Sequence, residues 1–206
     1  MLKVGLTGGI ACGKALVGEA LASYGCFVIQ ADQIGHEVLA PVGEAYADVI
    51  REFGEEILAA NGSGDSRDID RRRLAALVFA DAGKLARLNA IVHPAVIRRE
   101  EALMAEFFAR QPHGIAVVEA AILIETGSYR RLDKLILVFC AQERQIERAM
   151  RREGAVEADI RARIAHQMAV GEKRKYADFV IDTSGTKEDT VQQARIVYEE
   201  LRRMEI

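Results

Sequence analysis

"GLTGGIACGKALV", Gly5 to Val17, decides how the rest of the chain is read. Gly8, Gly13 and Lys14 stand in the spacing Gly-x-x-x-x-Gly-Lys, the arrangement that lets a backbone wrap around phosphate oxygens. Glycines allow successive N–H groups to turn inward, and a lysine at the start of the next helix reaches the β- and γ-phosphates. The flanks supply the required context. "LKVGLT" is a short apolar run ending in glycines, suited to a buried parallel strand. "GKALVGEALASYG" has helical spacing at Ala15, Leu16, Ala20 and Leu21, and Gly25 closes it. A helix start placed there adds its dipole and first-turn amides to the anion site. The residue after the lysine is where a hydroxyl on Mg²⁺ is expected, and this chain has Ala15, followed by Leu16. Mg²⁺ keeps several waters and takes much of its hold from phosphate oxygens and one carboxylate. A water in the vacated place therefore leaves a loop that still binds phosphates and positions its metal more loosely.

Moving outward, "CFVIQAD", "GIAVVEAAIL", "KLILVFC" and "DFVIDTSG" are further apolar runs that read as buried strands. Helical patterns over roughly 81–110, 142–153 and 186–204 separate them. Strands alternating with helices predict an α/β fold with a parallel sheet covered on both faces. The stretch 33–80 reads as helical and polar, interrupted by an exposed loop from Asn61 to Asp68. Residues 143–176 are rich in Arg and Glu and poor in long apolar residues, which suits a mobile helical excursion. One domain is expected: a core of about 1–32 and 112–206, a helical substrate-side insertion of about 33–110 and a lid of about 143–176.

Bulk properties exclude several classes. With 206 residues and half of them apolar, the chain can bury a sizeable core. The net charge of −3, with both signs interspersed, gives no basic arm or stripe for nucleic acid. No apolar run approaches the ~18 residues of a membrane span. Cys12, Cys26 and Cys140 show neither metal spacing nor a disulfide framework, so a reducing, cytoplasmic setting is expected. "MLKV" reads directly as strand, and no leader is expected.

A phosphoryl transferase must also orient, and remove a proton from, the attacking hydroxyl. Asp32, just past the second apolar run, is the candidate, because ligands of such sheets gather at the carboxyl ends of the strands. That position would put it near Lys14 and the γ-phosphate. The same residue also suits an N-cap for "QIGHEV".

At this point a resemblance emerges. "GLTGGIxxGK", "VIxADxIxHEVLAP", "IDRRRLAALVF", "LNAIVHPAV", "AILIETGSY" and "ADFVIDTSG" occur in the order and spacing of the dephospho-coenzyme A kinase family, over nearly the whole chain. The chain resembles that family in the doubled glycine, the Asp-x-Ile after strand two and the His-Pro after a long helix. The resemblance implies the three-layer fold of P-loop kinases. It also implies transfer of the γ-phosphate of ATP, with Mg²⁺, to the ribose 3′-hydroxyl of dephospho-coenzyme A, the last step of coenzyme A synthesis. Position by position, it implies that Gly8, Gly9, Ala11, Cys12, Gly13, Lys14, Ala15 and Leu16 wrap the ATP phosphates. Asp32 would be the base on the 3′-hydroxyl and a carboxylate on the metal. Arg73, Phe79 and His93 would border the coenzyme A side, together with Glu125. Arg148 and Arg152 would be lid arginines over the transferring phosphate.

The chain departs from the family at several of these positions. Ala11-Cys12-Gly13-Lys14-Ala15-Leu16 stands for Gly-Ser-Gly-Lys-Ser-Thr, Gln30 for Asp, Ala121 for Pro and Val170 for a lid arginine, with Lys173 and Arg174 nearby. Read without the resemblance, Phe79, Phe107 and Phe108 are core residues. The arginines of 144–152 are a solvated face, His93 is a capping or packing histidine, and Glu125 is suited to orienting a ribose, holding a lid arginine or pairing with a surface lysine. Glu119 and Glu125 flank an apolar strand end. Cys12 is filler or a redox-sensitive thiol, since the loop amides and Lys14 favour thiolate. Two rival functions remain in play: a kinase for another small nucleoside or metabolite, and a non-catalytic nucleotide- or coenzyme A-binding protein.

Overall fold

The computed structural model describes residues 1–59, 67–151 and 154–204. The expected loop from Asn61 to Asp68 falls mostly outside them, as does Arg152. The chain divides into two compact units, Met1–Gln30 with Met104–Ile206, and Ala31–Leu103.

The first unit is built on a parallel sheet in the order β2-β3-β1-β4-β5. Its strands are β1 (Leu2–Gly8), β2 (Phe27–Gln30), β3 (Ile115–Glu119), β4 (Lys134–Phe139) and β5 (Phe179–Asp182). The three middle strands are apolar nearly throughout, because both faces are covered: Val4, Leu6, Val117, Ile136 and Val138 are fully buried. β1 lies at the centre, Leu6 opposite Glu119 on one side and Ile136 on the other. The run "GIAVVEAAIL" is strand only to Glu119; Ala120 onward leaves the sheet in turns.

α1 (Lys14–Ser23) and α9 (Lys187–Arg203) pack on this sheet through Val17, Leu21, Ala194, Val197 and Leu201. α9 opens with a capping box: the Thr186 hydroxyl accepts from Asp189 N (3.0 Å) while the Asp189 carboxylate accepts from Thr186 N (3.1 Å). The Arg/Glu-rich stretch forms α6 (Gln142–Met150), α7 (Glu157–Ala165) and the short α8 (Val170–Lys173).

The second unit is helical, containing α2 (Ala31–Val38), α3 (Tyr46–Phe53), α4 (Arg71–Phe79) and most of α5 (Ala82–Arg110). Val38, Val49, Phe53, Leu74 and Val78 are buried, at the spacing each amphipathic helix requires. The chain on either side of the undescribed stretch is paired, Ala59 N donating to Asp68 O at 2.9 Å. Asp32 is the second residue of α2 and not the residue before it, which corrects the N-cap reading; its charge complements the helix dipole instead. The His93-Pro94 pair lies inside the 29-residue α5 and not after a helix. Pro94 there removes one helical N–H donor, and the flanking turns carry the helix through.

Candidate active site

The carboxyl end of β1 turns through residues 9–13 into α1, and several local causes fix that turn. Gly8 lies so close to β4 that a Cβ would sit 2.1 Å from Val138 O, so only glycine lets the strands pair there. Gly13 has φ +80°, and Ala11, a residue with a Cβ, is also left-handed at φ 53°. The Lys14 ammonium is folded onto the loop, donating to Gly8 O (3.1 Å) and Gly9 O (3.2 Å). α1 begins with no side-chain cap and no acidic residue in its first turn, so nothing competes with an anion for its dipole. Ala15 is exposed at this end.

The loop is held from three directions. Thr183, directly after β5, donates its hydroxyl to Cys12 O at 2.8 Å and accepts from Arg148 Nη1 at 3.1 Å. Arg148 Nη2 also reaches Thr183 O at 2.6 Å, which sets its guanidinium beside Gly13. The arginine run is thus not one solvated face: Arg144 and Arg151 are exposed while Arg148 turns to the loop. From α6, the buried Gln145 donates to Cys12 Sγ at 2.7 Å. From beyond α7, Gln167 Oε1 accepts from Ile10 N at 3.0 Å. The Cys12 thiol is held well below its ordinary value, to about 6, first by its hydrogen bond with the Cys140 thiol and against its burial, with Gln145 and Lys14 adding to the effect. The same pairing pushes Cys140 up.

Glu125 does not meet a surface lysine. Its partner is Lys173, whose side chain is 1% exposed, at 2.8 Å, and its Oε1 also accepts from Met168 N at 3.2 Å. Glu119 ends β3 at the same edge of the sheet and lies over α1, where a Cβ on Gly18 would sit 2.9 Å from its carboxylate. An apolar run ending in a carboxylate is a legible signal for such a residue; Gln145 and Thr183 had none, since polar residues on an Arg/Glu-rich helix or after a strand look solvated.

The remaining expected residues belong to the helical unit. Asp32 is exposed in the first turn of α2. Arg73 pairs with Asp70 at 3.3 Å and donates to Leu58 O at 3.3 Å, so its head is fixed while the side chain stays half exposed. Phe79 is 76% exposed at the end of α4, which overturns the core reading for it; Phe107 and Phe108 are buried. His93 is half-buried, and burial lowers its imidazole from the ordinary value, so it is neutral at physiological pH. Among the described residues no three His, Cys, Asp or Glu side chains gather as a metal cage, and no helix is long and apolar enough to cross a membrane.

A family model described as dephospho-CoA kinase matches residues 2–189. A dephospho-CoA kinase of Thermobifida fusca is 42% identical over 203 residues, covering 98% of each chain. One of Aquifex aeolicus is 39% identical over 203 residues, covering 98% of this chain and 99% of its own. Among solved structures, a Thermus thermophilus protein superposes with TM-score 0.80 at 32% identity over 97% of each chain. A dephospho-CoA kinase from Campylobacter jejuni superposes with TM-score 0.70 at 27% identity over 99% of this chain and 98% of its own.

Proposed function

The chain belongs to the dephospho-CoA kinase family, and on that premise we propose how it acts. It is an ATP-dependent kinase that phosphorylates the ribose 3′-hydroxyl of dephospho-coenzyme A, giving coenzyme A and ADP. The observation that carries the mechanism is the phosphate loop: a central-strand turn with left-handed backbone at Ala11 and Gly13, an uncapped helix start, and Lys14 parked on the carbonyls of Gly8 and Gly9. Residues 8–16 cradle the triphosphate through backbone N–H groups, and Lys14 leaves its carbonyls to neutralise β- and γ-phosphate charge. Asp32 orients the 3′-hydroxyl and takes its proton as the new O–P bond forms and the bond to the β-phosphate oxygen breaks. Arg148 and Arg152 cover the phosphates from the lid.

Arg73, Phe79, His93 and Glu125 serve the dephospho-coenzyme A side. The exposed Phe79 offers an apolar contact, Arg73 a fixed cation, and neutral His93 a hydrogen-bonding group without charge. On this reading the core is about 1–32 and 112–206, the substrate-side insertion about 33–110 and the lid about 143–176, and the protein acts in the cytoplasm on small-molecule substrates.

The donor set fits Mg²⁺ held chiefly by phosphate oxygens and waters. Ala15 offers no hydroxyl, and Asp32, in the first turn of α2, is the carboxylate that would hold the ion. When bound, the ion offsets charge on the transferring phosphoryl group. The test is to incubate the protein with ATP, Mg²⁺ and dephospho-coenzyme A and follow ADP and coenzyme A together. Stoichiometric formation of both is expected; ATP binding with no coenzyme A formed would overturn the reading.

A further inference from the structure

We propose that Gln167 is a positioning residue for the phosphate loop: it latches the base of the lid to the loop and holds the loop in its nucleotide-receiving form. The proposal rests on the reading of residues 8–16 as an ATP site.

The latch joins segments 157 positions apart: Gln167 Oε1 accepts from Ile10 N at 3.0 Å. Ile10 sits inside the loop, between the carbonyls that hold Lys14 and the left-handed Ala11. Taking up its amide helps fix the first turn of the loop, which Cys12 N closes onto Gly9 O at 3.3 Å, and the amides from Gly13 onward are left for the cradle. The acceptor side is itself anchored. Met168 N, the next amide, donates to Glu125 Oε1 at 3.2 Å. Glu125 pairs with the buried Lys173, whose Nζ also donates to Ala121 O at 3.0 Å. Ala121 O in turn accepts from the hydroxyl of Thr7, a fully buried residue one position before Gly8. One short segment, 167–173, thus ties down the chain on both sides of Gly8 and Gly9.

Packing does not make this connection unaided. Ile10 and α7 border a cavity of about 240 Å³, lined also by Ala149, Val156, Ile160 and Arg163. Across that opening the Gln167–Ile10 hydrogen bond joins the two sides directly. α7 ends at Ala165, two residues before Gln167, so any displacement of the lid is transmitted to the Ile10 amide.

A bond made only in the receiving form of the loop favours ATP and ADP alike, and ground state and transition state alike. Its loss therefore raises KM and leaves kcat in place. Gln167→Met keeps the length of the side chain and removes the strong acceptor. The expected result is a rise in KM for ATP and in Kd for ADP by the same factor, on the order of five- to tenfold for one neutral hydrogen bond. kcat and KM for dephospho-coenzyme A should stay within about twofold. Amide hydrogen exchange in the nucleotide-free protein supplies a readout that general destabilisation does not mimic: Ile10 exchanges faster while β1 and β4 keep their protection. Gln167→Glu keeps an oxygen acceptor, now a carboxylate, at the same reach and should restore protection at Ile10. The wild type is titrated with ADP first. No ADP binding by the wild type sinks the ATP-site reading itself. Wild-type binding with unchanged ADP affinity in Gln167→Met, or a fall in kcat at constant KM, overturns the latch alone.

Discussion

The phosphate loop and the helical unit Ala31–Leu103 place their chemistry on different parts of the chain. In the loop the functional atoms are backbone. Ile10 N, Cys12 O and the helix start are fixed by Gln167, Thr183 and the turn geometry, and Lys14 is the loop side chain proposed to reach phosphate. Side chains at 11, 12, 15 and 16 all depart from the family pattern, yet the turn keeps its shape, Ala11 accepting a left-handed φ of 53° to do so. In the helical unit the backbone is generic helix. What distinguishes it is what the helix faces present: Asp32, an Arg73 head fixed by Asp70 and Leu58 O, and an exposed Phe79. Its ion pairs, such as Arg98–Glu44 and Arg87–Glu52, are solvent-exposed and contribute little stability. The expectation is that side chains at 11, 12, 15 and 16 are cheap to change, whereas Gly8, Gly13 and Lys14, and the few presented residues of the helical unit, are not.

The hardest blow to that contrast is Lys14→Ala, which removes the loop side chain proposed to reach phosphate. Turnover should fall by on the order of a thousand-fold or more, with weakened ATP binding, because Arg148, the other cation fixed beside the loop, is tied to Thr183 and does not take the place of Lys14. ADP release in a coupled assay measures this; wild-type turnover in the variant would break the phosphate-loop assignment. Asp32→Asn tests the helical unit in the same way. It keeps size and removes charge and basicity, so kcat should drop on the order of a hundred-fold while ATP affinity holds within a few-fold. Lost thermal stability at unchanged turnover would leave Asp32 a helix-dipole residue only.

Ala15→Ser sharpens the claim that loop side chains are secondary. The hydroxyl should replace a loosely held water on Mg²⁺, lowering the Mg²⁺ needed for half-maximal activity a few-fold and raising turnover modestly. Ala15→Val, bulk without a ligand, should do neither. Asp70→Ala removes the N-cap that accepts from Arg72 N (3.0 Å) and Arg73 N (3.2 Å), together with the ion pair to Arg73. It should cost about 1 kcal/mol and raise KM for dephospho-coenzyme A with no change in KM for ATP. The smallest effect is expected from Ala11→Gly. Relieving the left-handed alanine should gain about 1 kcal/mol, a rise in Tm of about 2–4 °C, with ATP affinity unaltered. A loss of stability there would mean the turn does not hold Ala11 at positive φ in solution.

The parallel sheet was legible because its strands are buried on both faces and so appear as unbroken apolar runs, Leu2–Gly8 and Lys134–Phe139 above all. The run after Gly114 misled by its length. Apolar residues continue past Glu119 because turns there pack Leu123 and Ile124 into the interior, and burial alone does not distinguish that from strand. The long helix around His93 and Pro94 was legible in extent, but a proline inside it has no sequence mark that separates a tolerated kink from a terminus.

By itself the sequence determined the glycine–lysine turn, the α/β class and the family, because these depend on local conformational freedom, on apolar period and on residue order. Only the tertiary structure decided what holds the turn in place. Gln145, Thr183 and Gln167 come from elements 133 to 171 residues from their partners in the loop. It also decided that Phe79 is exposed while Phe107 is buried, and that Lys173 is a buried partner of Glu125 while Arg174 is not buried. The physical reason is that a hydrogen bond or ion pair between distant segments leaves no periodicity in the chain. Its two ends are ordinary polar residues until the fold removes water from between them.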